Sequence, residues 1–182
     1  MTTFQQIAGG VTAPSGFHAG ALHCGIKKDG APDLALLFSE KPAAAAGVFT
    51  RNLVKAAPVQ YSKEVLKAGI LRAVIINSGN ANAVTGERGF QDAKAMARTA
   101  GDALAVSPQQ VAVASTGTIG VPLPIDRIQE AIGKLARKLT ATGGDEAARA
   151  IMTTDTFPKS IALRVPVSSG EIIIGGMTKG AG

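Results

Sequence analysis

Leu71-Arg72-Ala73-Val74-Ile75-Ile76 is an apolar run of strand composition, and it stops at Asn77-Ser78-Gly79-Asn80-Ala81-Asn82, a strong turn signal. From about Gln91 to Leu104 the period changes. Ala93, Met96, Ala97, Ala100 and Leu104 recur at helical spacing until Ser107-Pro108 breaks the pattern. Val111-Ala112-Val113-Ala114 returns to strand and leads into Ser115-Thr116-Gly117-Thr118-Ile119-Gly120, a turn of small residues. Strand, helix and strand follow one another, with a polar turn at the end of each strand.

Upstream, the first 30 residues are glycine-rich and read mostly as loop and short strand. Asp33 to Phe38, between Pro32 and Pro42, reads as a buried strand, with Ala46-Gly47-Val48-Phe49-Thr50 as its partner. Downstream, Ile125, Ile128, Ile132, Leu135 and Leu139 form one clean helical face behind Pro124. Lys134, Arg137 and Lys138 lie toward its C-terminal end, where the helix dipole favours cations. Asp145 is placed to cap a shorter helix through Met152. Two strands follow, Ile161 to Val167 and Glu171 to Ile174, joined by a hairpin turn at Ser168-Ser169-Gly170. Strands and helices mix without strict alternation, which predicts an α+β or layered α/β architecture rather than a doubly wound sheet.

The 182 residues fit a single domain spanning 1–182. With 46% apolar but only 4% aromatic residues, the core must be built from Ala, Val, Ile and Leu. No apolar run approaches the roughly 18–20 residues that cross a bilayer, and Met1-Thr2-Thr3-Phe4-Gln5-Gln6 lacks the features of a signal peptide. The lone Cys24 allows no internal disulfide and fits a reducing, cytoplasmic setting. The net charge of +6 reads as a solvated basic surface, or as a face for an acidic ligand or an acidic partner chain. The basic residues do not interleave with aromatics as a nucleic-acid surface requires.

Three polar segments can carry chemistry. Thr116 and the N–H groups around Gly117 can hold an oxyanion, or can form an ordinary strand-to-helix turn. The Asn77–Asn82 segment can bind carboxylate or amide groups, or satisfy itself as an Asx turn. Thr153-Thr154-Asp155-Thr156 packs three hydroxyls and a carboxylate. Lys179, with little side-chain bulk around it, can pair with a carboxylate, or stand as an ordinary solvated lysine. His18, His23 and Cys24 lack zinc-site spacing, and no nucleophile–base pair is visible. The strand Glu171 to Ile174 runs into Gly175-Gly176-Met177-Thr178-Lys179-Gly180-Ala181-Gly182. That ending predicts the first part of a longer protein, lining a site that a second chain completes.

These segments, in this order, resemble the N-terminal α part of ornithine acetyltransferase, or glutamate N-acetyltransferase, of arginine biosynthesis. The resemblance rests on Gly16 to Gly20, Ala46 to Asn52, Ala56 to Val59, Asn77 to Ala83, Ser115 to Gly120, Met152 to Thr156 and Gly175 to Gly182. Val84 departs from it, standing where many relatives carry Cys. The resemblance implies a layered mixed-sheet sandwich completed by a β chain from the same self-cleaved precursor. The N-terminal Thr of that β chain is then the nucleophile. It implies acetyl transfer from N-acetylornithine to glutamate through an acyl-enzyme, in a cytoplasmic α2β2 heterotetramer without cofactor or metal, and leaves acetyl-CoA open as a second donor. It assigns Thr116 and Gly117 to the oxyanion, and Thr153 and Lys179 to substrate binding. The alternatives are a related self-cleaving aminopeptidase, or a non-catalytic module for a small anion. The exposed strand edge at Ile174 argues against the latter.

Overall fold

The computed structural model describes residues 4–180. Met1 to Thr3, read above for targeting, and Ala181-Gly182, read as the end of the glycine-rich segment, lie outside the described residues. Strands β1 (Gln5–Ile7), β2 (Phe17–Leu22) and β3 (Leu34–Ala44) precede helix α1 (Ala57–Val65). Then come β4 (Ile70–Asn80), α2 (Gly86–Leu104), β5 (Val111–Thr118), α3 (Ile125–Ala136) and α4 (Gly144–Ala150). The hairpin β6 (Lys159–Val167) and β7 (Gly170–Thr178) follows.

The strands form two sheets, in the orders β2-β3-β4-β5 and β1-β6-β7. In the four-stranded sheet β2, β3 and β4 are antiparallel, and the α2 crossover makes β5 parallel to β4. The two-residue alternation of the strands divides its side chains between two cores. Leu34, Leu36, Ala73, Ile75, Val111 and Val113 pack with the apolar faces of α1, α2 and α3. Ala19 and Ala35 point the other way and meet Ala147, Ala150 and Ile151 of α4 and its end. Alanine lets these layers approach closely. A Cβ at Gly143 would lie 1.9 Å from the Ala19 carbonyl oxygen, so the start of α4 rests directly on the backbone of β2. This is a layered α+β architecture of mixed sheets, as the element mixture predicts.

The three-stranded sheet buries Ala162. Gly175 meets the Gly10–Val11 backbone so tightly that a Cβ would stand 2.2 Å from the Gly10 oxygen. Its other face carries Ile161, Ile172 and Ile174, each about half exposed.

Several local expectations are corrected. Ala46 to Thr50 is not a strand: β3 already has β2 on one side and β4 on the other, and Val48 projects into solvent. Helix α1 escapes the sequence pattern because Ala56 offers no side-chain cap; its sign is Pro58 in the first turn. Helix α2 starts at Gly86, ahead of the apolar stripe. Asn77 to Asn80 and Ser115 to Thr118 continue β4 and β5 instead of turning, because each strand's ladder carries the other past its apolar section. Asp145 lies in the first turn of α4 but does not cap it; Gly143 holds that position, where close approach to β2 admits no side chain. The hairpin at Ser168-Ser169 is as expected.

Candidate active site

The parallel β4–β5 ladder is regular from Ala73 and Val111 onward until its register slips at Gly79 and Asn80. A bulge of this kind bends a strand and re-aims its side chains. Two glycines make it possible. Gly117 has φ +134°, and a Cβ there would lie 2.3 Å from the Gly79 carbonyl carbon. Gly79 has φ +95°, with Ile26 pressed against its Cα. Below the bulge the amides are fully engaged. Ser115 Oγ donates to Asn77 Oδ1 at 2.6 Å, and Asn77 Nδ2 donates to the Asn80 carbonyl at 2.8 Å. Asn80 Nδ2 donates to the Val121 carbonyl, and Asn82 Nδ2 to the Gly89 carbonyl. The Asn77–Asn82 segment is therefore a buried internal network, and its amide groups are spent on the fold.

Above the bulge lies a cleft of about 750 Å³. Thr116 and Gly117 form one wall, Thr153 another, and Lys179 a third. These are the four residues singled out in the sequence, brought together from three distant segments. Lys179 Nζ donates to Thr116 Oγ1 at 2.5 Å. An ammonium has three donors, so two remain for a ligand. Its bond to Oγ1 leaves the Thr116 hydroxyl proton to point elsewhere and polarises it as a donor.

Two carboxylates fix the cleft's walls. Asp33, fully buried, accepts from the N–H groups of Cys24 (2.6 Å), Ile26 (2.7 Å) and Lys27 (2.9 Å). Burial pushes its carboxyl upward, but these bonds together hold it below the ordinary 3.8. They shape the loop that brings Lys27, Lys28 and Asp29 to the cleft. Lys27 spends its ammonium on the Pro32 and Ala150 carbonyls, and burial lowers its pKa. Asp155 accepts from Gly180 N–H (2.6 Å), Lys159 Nζ (2.9 Å) and Thr153 N–H (3.2 Å). The Gly180 N–H, followed by Lys159, holds its carboxyl far below the ordinary range.

Sequence reasoning missed the loop lysines and Asp33, and reached Asp155 only as the carboxylate of the Thr153–Thr156 segment. The only sequence sign of Asp155 is its place among three threonines. The cleft combines cations with neutral donors at a strand bulge. That set can bind a carboxylate and stabilise an oxyanion, and the described residues of the cleft include no nucleophile paired with a base.

Elsewhere, a larger groove of about 1070 Å³ runs along α1, α2 and α3 and includes none of these residues. Cys24 is half-buried, and burial together with Asp33 pushes its thiol well above the ordinary value. His23 Nδ1 lies 2.9 Å from the Ala31 carbonyl, and His18 Nδ1 lies 3.6 Å from Glu40. No group of three or more His, Cys, Asp or Glu among the described residues is arranged to hold a metal. Among the described residues no helix is long and apolar enough to cross a membrane.

Comparison with known proteins bears on this cleft. The ArgJ family model matches residues 18–182. The arginine biosynthesis bifunctional protein ArgJ of Symbiobacterium thermophilum is 54% identical over 180 residues, covering 98% of this chain and 45% of that protein. Its counterpart in Thermosynechococcus vestitus is 50% identical over 183 residues, covering 100% of this chain and 44% of that one. The chain thus spans about half the length of the curated relatives it matches. The crystal structure of ArgJ from Bacillus halodurans superposes with TM-score 0.92 at 37% identity, covering 100% of this chain and 96% of that one. Ornithine acetyltransferase from Mycobacterium tuberculosis, solved in complex with ornithine, superposes with TM-score 0.91 at 47% identity, covering 99% and 96%.

Proposed function

Because the chain belongs to the ArgJ family, we propose that it is the α part of a glutamate N-acetyltransferase of arginine biosynthesis. It works with a β chain from the same precursor, in the cytoplasm, as an α2β2 heterotetramer. The observation that carries this reading is the gathering of Thr116, Gly117, Thr153 and Lys179 around one cleft, with Lys179 bonded to Thr116.

In the proposed reaction the hydroxyl of the β-chain N-terminal Thr attacks the acetyl carbonyl of N-acetylornithine, and its own amine takes the proton. The tetrahedral oxyanion receives hydrogen bonds from the Thr116 hydroxyl and the Gly117 N–H. Collapse breaks the amide C–N bond, ornithine leaves with the proton, and an acetyl ester remains on the Thr. The glutamate amine then attacks that ester, the Thr oxygen leaves and regains its proton, and N-acetylglutamate departs. Lys179 neutralises the α-carboxylate common to both amino acids, and Thr153 binds beside it. The exposed Ile161, Ile172 and Ile174 face supports a partner surface, since a monomer rarely leaves such an apolar patch uncovered.

The test is the full-length precursor, assayed with N-acetylornithine and glutamate. Thr116→Ala should lower kcat by about 10²–10³-fold, the usual consequence of losing one oxyanion donor, with a much smaller change in KM. An unchanged kcat removes Thr116 from that role. Release of free acetate without N-acetylglutamate points instead to the hydrolytic, aminopeptidase-like reading. The word "bifunctional" in the relatives' names favours a second activity, acetylation of glutamate from acetyl-CoA. Product formation from acetyl-CoA without N-acetylornithine tests it.

A further inference from the structure

We propose that Asp155 is a positioning residue: it ties the Thr153 turn and the Gly180 main chain together, so that Lys179 reaches Thr116. The role deepens the acetyltransferase reading, and rests on it where turnover is concerned.

Strand β7 ends at Thr178. Its ladder pairs Thr178 with Lys159, the first residue of β6, and no ladder partner follows among the described residues. Lys179 and Gly180 therefore leave the sheet without backbone support, at the point where Lys179 must cross to β5. Asp155 stands over this open end. One oxygen, Oδ1, accepts from both Gly180 N–H and Lys159 Nζ; the other, Oδ2, accepts from Thr153 N–H. Its side chain is 1% exposed although the residues around it are exposed, so the carboxylate is enclosed by its own donors. Lys159 is held in turn over the Phe157 ring, 4.7 Å from its centroid. One carboxylate thus joins the start of β6, the end of β7 and the turn after α4. Two of the segments it joins carry the substrate-binding candidates Thr153 and Lys179.

A neutral amide cannot replace it. Asparagine keeps one acceptor oxygen but turns an NH2 toward either Thr153 N–H or the Gly180–Lys159 pair, donor against donor. Freed from Asp155, Lys179 loses its fixed reach to Thr116. Misplacement of a catalytic constellation by about 1 Å costs on the order of 10²-fold in rate.

The test uses the full-length, processed protein. Asp155→Asn should lower kcat/KM by roughly tenfold to a hundredfold, with KM raised for N-acetylornithine and for glutamate alike. In a Lys179→Met background the same substitution should lose most of its effect, because its route through Lys179 is already gone. A merely structural role predicts instead that the two losses multiply, and that result overturns the proposal. Hydrogen exchange at the Gly180 amide supplies a readout independent of turnover. It should quicken in Asp155→Asn while the core amides of β4 and β5 stay protected. Unchanged Gly180 exchange, or quickening matched throughout the core, also overturns it. If the wild-type protein transfers no acetyl group, the exchange result still decides whether Asp155 holds this chain segment.

Discussion

At the residue scale the two cleft carboxylates show why an acid can be buried in so small a protein. Asp33 has no exposed surface, yet it is satisfied by three main-chain N–H groups, with His23 Nδ1 3.1 Å away. Bonds to a charged acceptor are each worth roughly 1.5–3 kcal/mol net, enough to offset the desolvation that burial imposes. Because the folded carboxyl titrates below its ordinary 3.8, the unfolded chain binds the proton first as pH falls. The stabilisation is complete above that value and is lost as pH drops through the folded pKa. Thermal melts from pH 7 to pH 2 should show a steep loss of Tm beginning near pH 4. Asp33→Asn should melt lower at pH 7, by the equivalent of roughly 2–3 kcal/mol, and respond less to acid. A parallel pH profile for the two proteins would disprove the assignment. Gly117 makes the complementary point about size. A single methyl there would overlap the Gly79–Asn80 peptide, so a residue that lines the cleft is also the one the bulge requires.

At the element scale the link between β4 and α2 carries local strain. Asn82 and Val84 both have positive φ, at 46° and 56°. Asn tolerates that region and here gains bonds to Gly89 and Thr85. Val84 is β-branched, solvent-exposed and poorly suited to the left-handed region. Such a conformation costs about 1–2 kcal/mol for a residue with a Cβ. Val84→Asn should therefore raise stability by about 1 kcal/mol, seen as a higher urea midpoint with unchanged m-value. A lower midpoint would mean that Val84 makes a contact outweighing its strain. Helix α1 illustrates a different local economy. Ser62 Oγ donates to the Val113 carbonyl and accepts from its N–H, at 2.7 and 2.8 Å. The helix thereby serves as the missing neighbour of edge strand β5 and covers an otherwise open ladder.

At the scale of the whole molecule, the two sheets differ in how they are covered. The four-stranded sheet has helices on both faces, and its core side chains Leu34, Leu36, Ile75 and Val111 are wholly buried. The three-stranded sheet leaves one apolar face open, with Ile172 and Ile174 50% and 53% exposed. Burying an isoleucine fully is worth about 1.5–3 kcal/mol, so covering this face would contribute substantially to a two-chain assembly. Ile172→Lys with Ile174→Lys should weaken co-elution of this chain with the proposed β chain in size-exclusion chromatography. It should also make the isolated chain less prone to aggregate. Undiminished co-elution would show that the partner binds elsewhere.

The sequence by itself determined most of the elements and the mixed α+β class. Strand and helix periods are local properties of side-chain alternation, and Leu71 to Ile76, Val111 to Val113 and the Ile125 to Leu135 stripe express them directly. Small residues, hydroxyls and a lone lysine also marked three polar segments without coordinates, and the family resemblance singled out Thr116, Gly117, Thr153 and Lys179 within them. Helix α1 was hidden because it lacks a side-chain cap and takes its order from β5. Ala46 to Thr50 looked like a strand because composition does not say whether a neighbouring edge is free. Only the tertiary structure decided that β4 and β5 lie parallel with a bulge, that the Asn77–Asn82 amides face inward, and that Asp33 and Asp155 hold the cleft. Those facts depend on contacts between residues far apart in the chain. Lys179 meets Thr116 across 63 residues, a separation at which no local propensity acts and only the packing of the two sheets can bring the groups together.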